Sequence, residues 1–447
     1  MIENKNVKIE KPRILIIDVC NPLSMGGAAI TLVLIEYLRK NFPDAKITLM
    51  TSRKRDQEIY IGKYDMRDVD FIPHMWYREK SSTLKTLFYS FIPAILAVLR
   101  IIPRRFFRGS RIRSEDALSN YDVIIDLNSD AINEHYGIVF PLFTLFNIFI
   151  ASLSNKPVII SPCTIGSFRK PFMNSIAKFV LNRASLIMVR ENISWKNLEK
   201  LGVPKHKISL GGDLAFLLQP KQINADDFTE IDLTKIERPM IGLAPSQEIC
   251  RYAFIQRSKN PEEKYKMYVK LMSEIADFMI ERFDASVILI PHSLSDEESP
   301  RYKLLDDRIA CQSVYDGIKN KGKVWFIRGH HRTDEIKALI GKCDLFVGCR
   351  MHSTIASTSM LVPTIALAYG EKFEGIISDL MGQRDYVINV SEDYNVLLER
   401  IKSRIVDLWT KKDFVRKDLQ ERLENIQKIV NSSLFAISRA IEGKEVF

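Results

Sequence analysis

The sequence predicts an α/β protein of two doubly wound domains facing one another across a cleft. Three observations carry that expectation. The chain has 447 residues, 46% hydrophobic and 27% charged, too long for one ordinary core and of normal globular composition. Apolar β-rich runs alternate with helical patterns along both halves, as parallel strands joined by crossover helices require. A polar stretch, "QPKQINADDFTEIDLTKIERP" (219 to 239), interrupts the alternation midway.

In the first half, "RILIIDV" (13 to 19) predicts a buried strand, "GGAAITLVLIEYLRKNF" (26 to 42) a helix and "KITLMTS" (46 to 52) the next strand. Further strands are expected in "YDVIIDLNSD" (121 to 130), "PVIISPCT" (157 to 164), "ASLIMVRE" (184 to 191) and "KISLGGD" (207 to 213), with helices at 168 to 183 and 194 to 202. Alternation resumes with strands in "MIGLAPS" (240 to 246), "ASVILIPHS" (285 to 293), "KVWFIRG" (323 to 329), "LFVGCR" (345 to 350) and "VPTIALAYG" (362 to 370). Helices are expected at about 263 to 282 and at 334 to 344. A long amphipathic helical pattern covers 413 to 443. The expected domains are 1–222 and 239–410, a linker over 223–238, and a C-terminal helix over 411–447.

The net charge of +10 and pI near 9.1 suit an anionic partner. Basic residues are not interleaved with a run of exposed aromatics, which argues against nucleic acid. The six cysteines are scattered without a C-x-x-C pair or histidines at ligand spacing, so neither a disulfide framework nor a metal site is expected. A polar N-terminus with only a short apolar run predicts no signal peptide and a cytoplasmic setting. "LFYSFIPAILAVLRIIPRRFFRGSRIR" (87 to 113) joins an apolar run to Arg100, Arg104, Arg105, Arg108, Arg111 and Arg113. It is shorter than the roughly 20 residues that span a bilayer. Two readings stay open for it: an interfacial segment at the inner face of the plasma membrane, or a core helix with a basic loop. The nearly uncharged "GIVFPLFTLFNIFIASL" (137 to 153) leaves the same pair open.

Ligands of open parallel sheets bind beyond the carboxyl ends of the strands, so polar residues there are the candidates. Arg350 and His352 end "LFVGC", and Ser353 or Thr354 is placed near the N-cap of the following helix. A helix N-terminus, a planar guanidinium and a titratable imidazole together make an anion site with a proton donor. The alternative is an arginine paired to an aspartate and a histidine satisfied inside the fold. "MVRENIS" repeats the logic with Arg190, Glu191 and Ser194, the serine expected to cap a helix starting at Trp195. Asp213 follows two glycines at another strand end, and His292 and Asp296 follow a third. Neither G-x-G-x-x-G after the first strand, nor a P-loop, nor a G-x-S-x-G elbow is present.

"VGCRMHSTIASTSMLVPTIALAYGEKFEG" (347 to 375) resembles the most characteristic segment of the polysaccharide pyruvyl transferases. "IMVRENISWKNLEKLGV", "GGDLAFLL", "LIPHSLSDEES" and "NPLSMGGAAITLVLIEYL" are similar to further segments of that family, in the same order. The resemblance implies two Rossmann-like domains facing each other as in GT-B glycosyltransferases. It also implies transfer of a pyruvyl group from phosphoenolpyruvate to two hydroxyls of a saccharide, forming a ketal in cell-surface polysaccharide biosynthesis. By this resemblance Arg350, His352 and Arg190 sit on the donor. His352 is the expected acid/base, with His292 second; Asp213, Ser194, Ser353, Lys372 and Asn21 complete the expected substrate site. Phosphoenolpyruvate is then a substrate, with no separate cofactor, and a lipid-linked saccharide suits the basic apolar segment. The chain departs from the family pattern at "VIIDLNSDAINEHYG", where a glycine-rich turn is usual, and at Gly26 and Gly27, where an aspartate is usual. Asn128, Asp130 and His135 are candidates for sugar recognition there, or for capping a helix. A sugar-nucleotide glycosyltransferase and a non-catalytic saccharide-binding protein at the membrane remain the alternatives.

Overall fold

The computed structural model describes residues 11–51, 53–73, 118–134, 137–166, 168–254, 258–296, 302–369 and 373–444. The 87 to 113 segment, His135 and Lys372 lie outside them.

Two parallel sheets organise the chain. The N-terminal sheet contains β1 (Arg13–Ile17), β2 (Lys46–Thr51), β3 (Asp70–Pro73), β4 (Val123–Asp126), β5 (Val158–Cys163), β6 (Leu186–Val189) and β7 (Ile208–Leu210). Its order is β3-β2-β1-β4-β5-β6-β7. The C-terminal sheet contains β8 (Met240–Ala244), β9 (Ser286–Leu289), β10 (Val324–Phe326), β11 (Leu345–Gly348), β12 (Thr364–Ala368) and β13 (Val387–Asn389). Its order is β10-β9-β8-β11-β12-β13. Each sheet therefore reverses direction once, between β1 and β4 and between β8 and β11. Loops leaving the two central strands diverge at such a point and open a crevice. The central strands are continuous apolar runs such as "ILII" and "LFVG" because helices cover both of their faces.

The edge strands β3 and β13 were not evident as strands in the sequence. At four and three residues, with exposed or half-buried ends, they are too short to give the apolar run that identifies a buried strand. The uncharged 137 to 153 stretch folds as a helix, Val139–Ser152, whose Leu145, Phe146, Ile148, Phe149 and Ile150 are buried against β5 and the helix Pro171–Leu181. Core packing thus accounts for the apolarity of its later turns, whereas Val139 and Phe140 at its start are exposed. Among the described residues no helix is long and apolar enough to cross a membrane.

One hydrophobic cluster runs through both halves, from Ile14 and Leu34 through Leu243 and Ile355 to Leu419 and Ile437. The C-terminal helix Lys412–Ile441 supplies part of this continuity by returning to the first sheet. Ser433 Oγ donates to the Gly211 carbonyl at 3.1 Å, and Tyr37 and Ser438 share a 2.8 Å hydrogen bond. The first helix, Met25–Asn41, joins the halves on the cleft side: Met25 N–H donates to the His292 carbonyl at 3.2 Å, and Thr333 Oγ1 donates to the Met25 carbonyl at 2.8 Å.

Candidate functional site

Three of the expected residues converge where the halves meet. Arg190 leaves β6, Asp213 leaves β7, and His352 stands in the first turn of the helix Met351–Ser359 that follows β11. Arg190 Nε lies 2.9 Å from Asp213 Oδ2 with both side chains wholly excluded from solvent. His352 Nε2 approaches the same oxygen at 3.4 Å from the other domain. Burial would raise the Asp213 pKa, but the Arg190 guanidinium and then His352 overcome it and hold the carboxyl well below the usual carboxylate range. Asp213 Oδ1 also accepts from the Ala215 N–H at 2.9 Å, fixing the carboxylate's orientation. Arg190 further donates from Nη2 to Ser129 Oγ at 2.9 Å and from Nε to the Pro162 carbonyl at 3.2 Å. One buried carboxylate oxygen thus stands between a guanidinium from the N-terminal half and an imidazole from the C-terminal half.

Gly26 makes the approach possible. A Cβ there would fall within the van der Waals envelope of the His352 ring, and one on Gly27 would strike the Cys20 side chain. Two adjacent glycines thus let the first helix press against both the β1 loop and the imidazole. Asn21 shapes the same turn, its Oδ1 accepting from the Leu23 N–H at 2.9 Å.

Arg350 occupies the crevice between β8 and β11. Its Nε and Nη2 engage Asp307 at 3.1 and 2.8 Å, and Nη1 pairs with Glu248. This is the aspartate pairing that the sequence left open as an alternative. Two carboxylates neutralise the guanidinium, and an arriving anion must compete with Glu248, the partner on Nη1. Asp307 is itself wholly buried and accepts from the backbone N–H of Gln247 and Ser293 at 2.8 and 2.9 Å.

His292 lies beside this pair, 5% exposed. Burial first, then the charges of His352 and Arg350, push its pKa down to about 3, so it is a neutral imidazole at physiological pH. His292, His352, Gly26 and Lys337 line one small cavity between the halves. Lys337, from the helix Thr333–Ile340, is 3% exposed and donates to the Leu218 carbonyl at 2.7 Å. Burial alone pushes its pKa down to about 7.

Other expected residues are placed differently. The helix after β6 begins at Asn192 and is capped by Glu191, whose carboxylate accepts from the Ser194 N–H at 2.7 Å. Ser194 is therefore inside the first turn, and its Oγ accepts from the Ile165 N–H at 2.8 Å. The helix after β11 begins at Met351 with Arg350 at its N-cap, so Ser353 is also inside the turn and donates back to the Arg350 carbonyl at 2.7 Å. Asp296 pairs with Arg53 and Arg55 at 3.2 and 3.0 Å, away from Arg350. Glu248, Asp307 and Lys337 were missed because nothing in their local sequence marks them. Among the described residues no group of three or more His, Cys, Asp or Glu side chains is arranged to hold a metal ion.

Several solved structures share this architecture. UDP-GlcNAc 2-epimerase from Neisseria meningitidis bound to UDP-GlcNAc matches with a TM-score of 0.58 and 12% identity, over 95% of this chain and 98% of that one. A putative UDP-N-acetylglucosamine 2-epimerase from Listeria monocytogenes matches with a TM-score of 0.56 and 11% identity, over 97% of this chain and 98% of that one. At such identities the likeness shows the fold, two Rossmann-like domains of GT-B type, and nothing of the activity. In sequence, amylovoran biosynthesis protein AmsJ of Erwinia amylovora is 27% identical over 266 residues, 59% of this chain and 61% of that protein. The match thus spans less than two thirds of that relative. The sequence model of the polysaccharide pyruvyl transferases matches residues 25–371, from the first helix through β12 and with it Arg190, Asp213 and His352, and the chain belongs to that family.

Proposed function

We propose that this protein transfers a pyruvyl group from phosphoenolpyruvate to two hydroxyls of a saccharide, forming a ketal and releasing phosphate, in the biosynthesis of a cell-surface polysaccharide. The observation that carries the reading is the buried chain Arg190, Asp213, His352, standing beside Arg350 in a member of this family. AmsJ, named for amylovoran biosynthesis, supports the polysaccharide setting.

The donor carries a carboxylate and a phosphate on one carbon. Arg350 and the free N–H groups opening the helix Met351–Ser359 bind those anions, one of which takes the place of Glu248 at Nη1. His352, oriented by Asp213, protonates the donor's methylene carbon while an acceptor oxygen bonds to C2. Arg190 keeps Asp213 ionised, so that the carboxylate can stabilise the imidazolium form of His352. His292, held neutral, adds a polar but uncharged wall beside the donor. A lipid-linked acceptor, met at the inner face of a membrane by the basic 87 to 113 segment, completes the reading; the protein works in the cytoplasm.

The test supplies phosphoenolpyruvate, or separately UDP-sugars, with a panel of saccharides, and follows phosphate or nucleoside diphosphate release together with the acceptor's mass. A pyruvyl mass gain with phosphate release, lost in Arg350→Ala, supports the proposal. Transfer of a sugar instead contradicts it.

A further inference from the structure

We propose that the acceptor hydroxyl is held and deprotonated by a carboxyl pair, Asp18 and Asp126, in the crevice where the N-terminal sheet reverses its strand order. This rests on the pyruvyl-transfer reading and names the acceptor side of that site.

The crevice follows from topology. The chain runs outward through β1, β2 and β3, then resumes on the other side of β1 with β4, so the loops after β1 and β4 part. The same three residues, Ile-Ile-Asp, stand at 16–18, running one residue past the end of β1, and at 124–126, closing β4. Their register pairs Ile17 with Asp126 and sets Asp18 one residue further on. Asp18 has a φ of 52°, a left-handed conformation uncommon for a residue with a side chain, which turns the chain as it leaves β1. It is half-buried, whereas Asp126 is fully buried.

Each carboxyl is oriented by an amide. Asn147, from the helix Val139–Ser152, donates to Asp18 Oδ1 at 2.6 Å, and Asn128 Nδ2 donates to Asp126. Burial, then the charge and hydrogen bond of Asp18, push the Asp126 pKa well above the carboxylate range. Two carboxyls in contact do not both ionise, and Asp126, the buried member, is the one that keeps its proton. Surrounding titratable groups are Cys20 on the β1 loop, Asp130 on the β4 loop, Cys163 at the end of β5 and Arg190 at the end of β6.

A second observation points to a ligand. Asn128 is 5% exposed, and its Oδ1 has no hydrogen-bond partner; Arg190 is 0% exposed, and its Nη1 has none either. Buried polar atoms are almost always satisfied, and sugar hydroxyls, donor and acceptor at once, satisfy both kinds. Arg190 also joins the two halves of the site, reaching Asp213 on one side and Ser129 of the β4 loop on the other. Gly26 and Gly27 join them again, one against His352 and the other against Cys20, two residues beyond Asp18.

The chemistry balances over two steps. In the first, an acceptor O–H loses its proton to Asp18, its oxygen bonds to C2 of the donor, and the alkene electron pair takes a proton at the methylene carbon from His352. In the second, the neighbouring hydroxyl gives its proton to the imidazole of His352 and its oxygen bonds to C2 as the C2–O bond to phosphate breaks. Phosphate leaves with that bonding pair. Of the two hydroxyl protons, one replaces the proton spent on the methyl group and the other leaves on phosphate.

The test compares wild type with Asp18→Asn and Asp126→Asn for pyruvyl transfer, for phosphoenolpyruvate binding by calorimetry and for melting temperature. A general base contributes about 100-fold or more, so kcat in Asp18→Asn is expected to fall by at least that factor while donor affinity stays within about twofold. In Asp126→Asn the acid limb of the kcat/KM profile is expected to shift. Transfer by Asp18→Asn at the wild-type rate overturns the inference and leaves the pyruvyl-transfer reading standing. Failure of the wild type to transfer to any saccharide overturns both. Should Asp18→Asn lose its fold, the Asp126→Asn profile decides: an acid limb that does not move overturns the pair.

Discussion

Arg190 and Asp213 meet at 2.9 Å with neither side chain reaching solvent, and His352 approaches the same carboxylate oxygen from the other domain at 3.4 Å. A buried ion pair is costly to break from one side because the surviving charge has nowhere to go. Asp213→Asn is therefore expected to destabilise the fold by about 3–5 kcal/mol, read from urea unfolding. It also removes the carboxylate that orients His352, so kcat should fall more than the donor affinity does.

Gly26→Ala tests the contact between the first helix and the imidazole. The added methyl has no room beside His352. Either the ring moves off Asp213 or the helix shifts, at a cost of about 1–3 kcal/mol. The expected outcome is a folded protein with a modestly lower melting temperature and a disproportionate loss of turnover.

Glu248→Gln separates the two carboxylates on Arg350. Glu248 holds Nη1, whereas Asp307 holds the opposite edge of the guanidinium and is itself anchored by backbone N–H groups. Neutralising Glu248 weakens its competition with the donor and leaves the arginine oriented. The KM for phosphoenolpyruvate is expected to fall severalfold, whereas Asp307→Asn should raise it.

Lys337 gives the protein a stability that depends on alkaline pH. Its pKa is about 7 in the fold against an ordinary 10.5, so between these values the unfolded chain binds the extra proton. Stability should then rise with pH across that window, by up to about 1.4 kcal/mol per unit from this one group. Urea unfolding between about pH 7 and about pH 9 is expected to show the slope in wild type and to lack this component in Lys337→Met.

Much of this was legible in the sequence because the central strands are unbroken apolar runs that end in polar residues, and those ends are where parallel sheets place their ligands. Arg190, Asp213 and His352 were found that way. Their convergence on one oxygen was not, since it depends on how two domains pack. The partners of Arg350 were equally hidden: Asp307 and Glu248 lie 43 and 102 residues away along the chain. Serine placement failed locally, because Glu191 and Arg350 start their helices earlier than the serines suggested. The Ile-Ile-Asp repeated at 16–18 and 124–126 was visible in the sequence, but only the strand order makes the two aspartates neighbours.

The central claim, that His352 and Arg350 run proton-coupled pyruvyl transfer, is tested most directly by running the reaction in deuterium oxide and reading the product ketal by mass spectrometry and NMR. The account predicts a single deuterium in the ketal methyl group with wild type, and loss of product with His352→Gln. A product whose methyl carries no deuterium, or a His352→Gln variant that forms the labelled ketal at the wild-type rate, would contradict it.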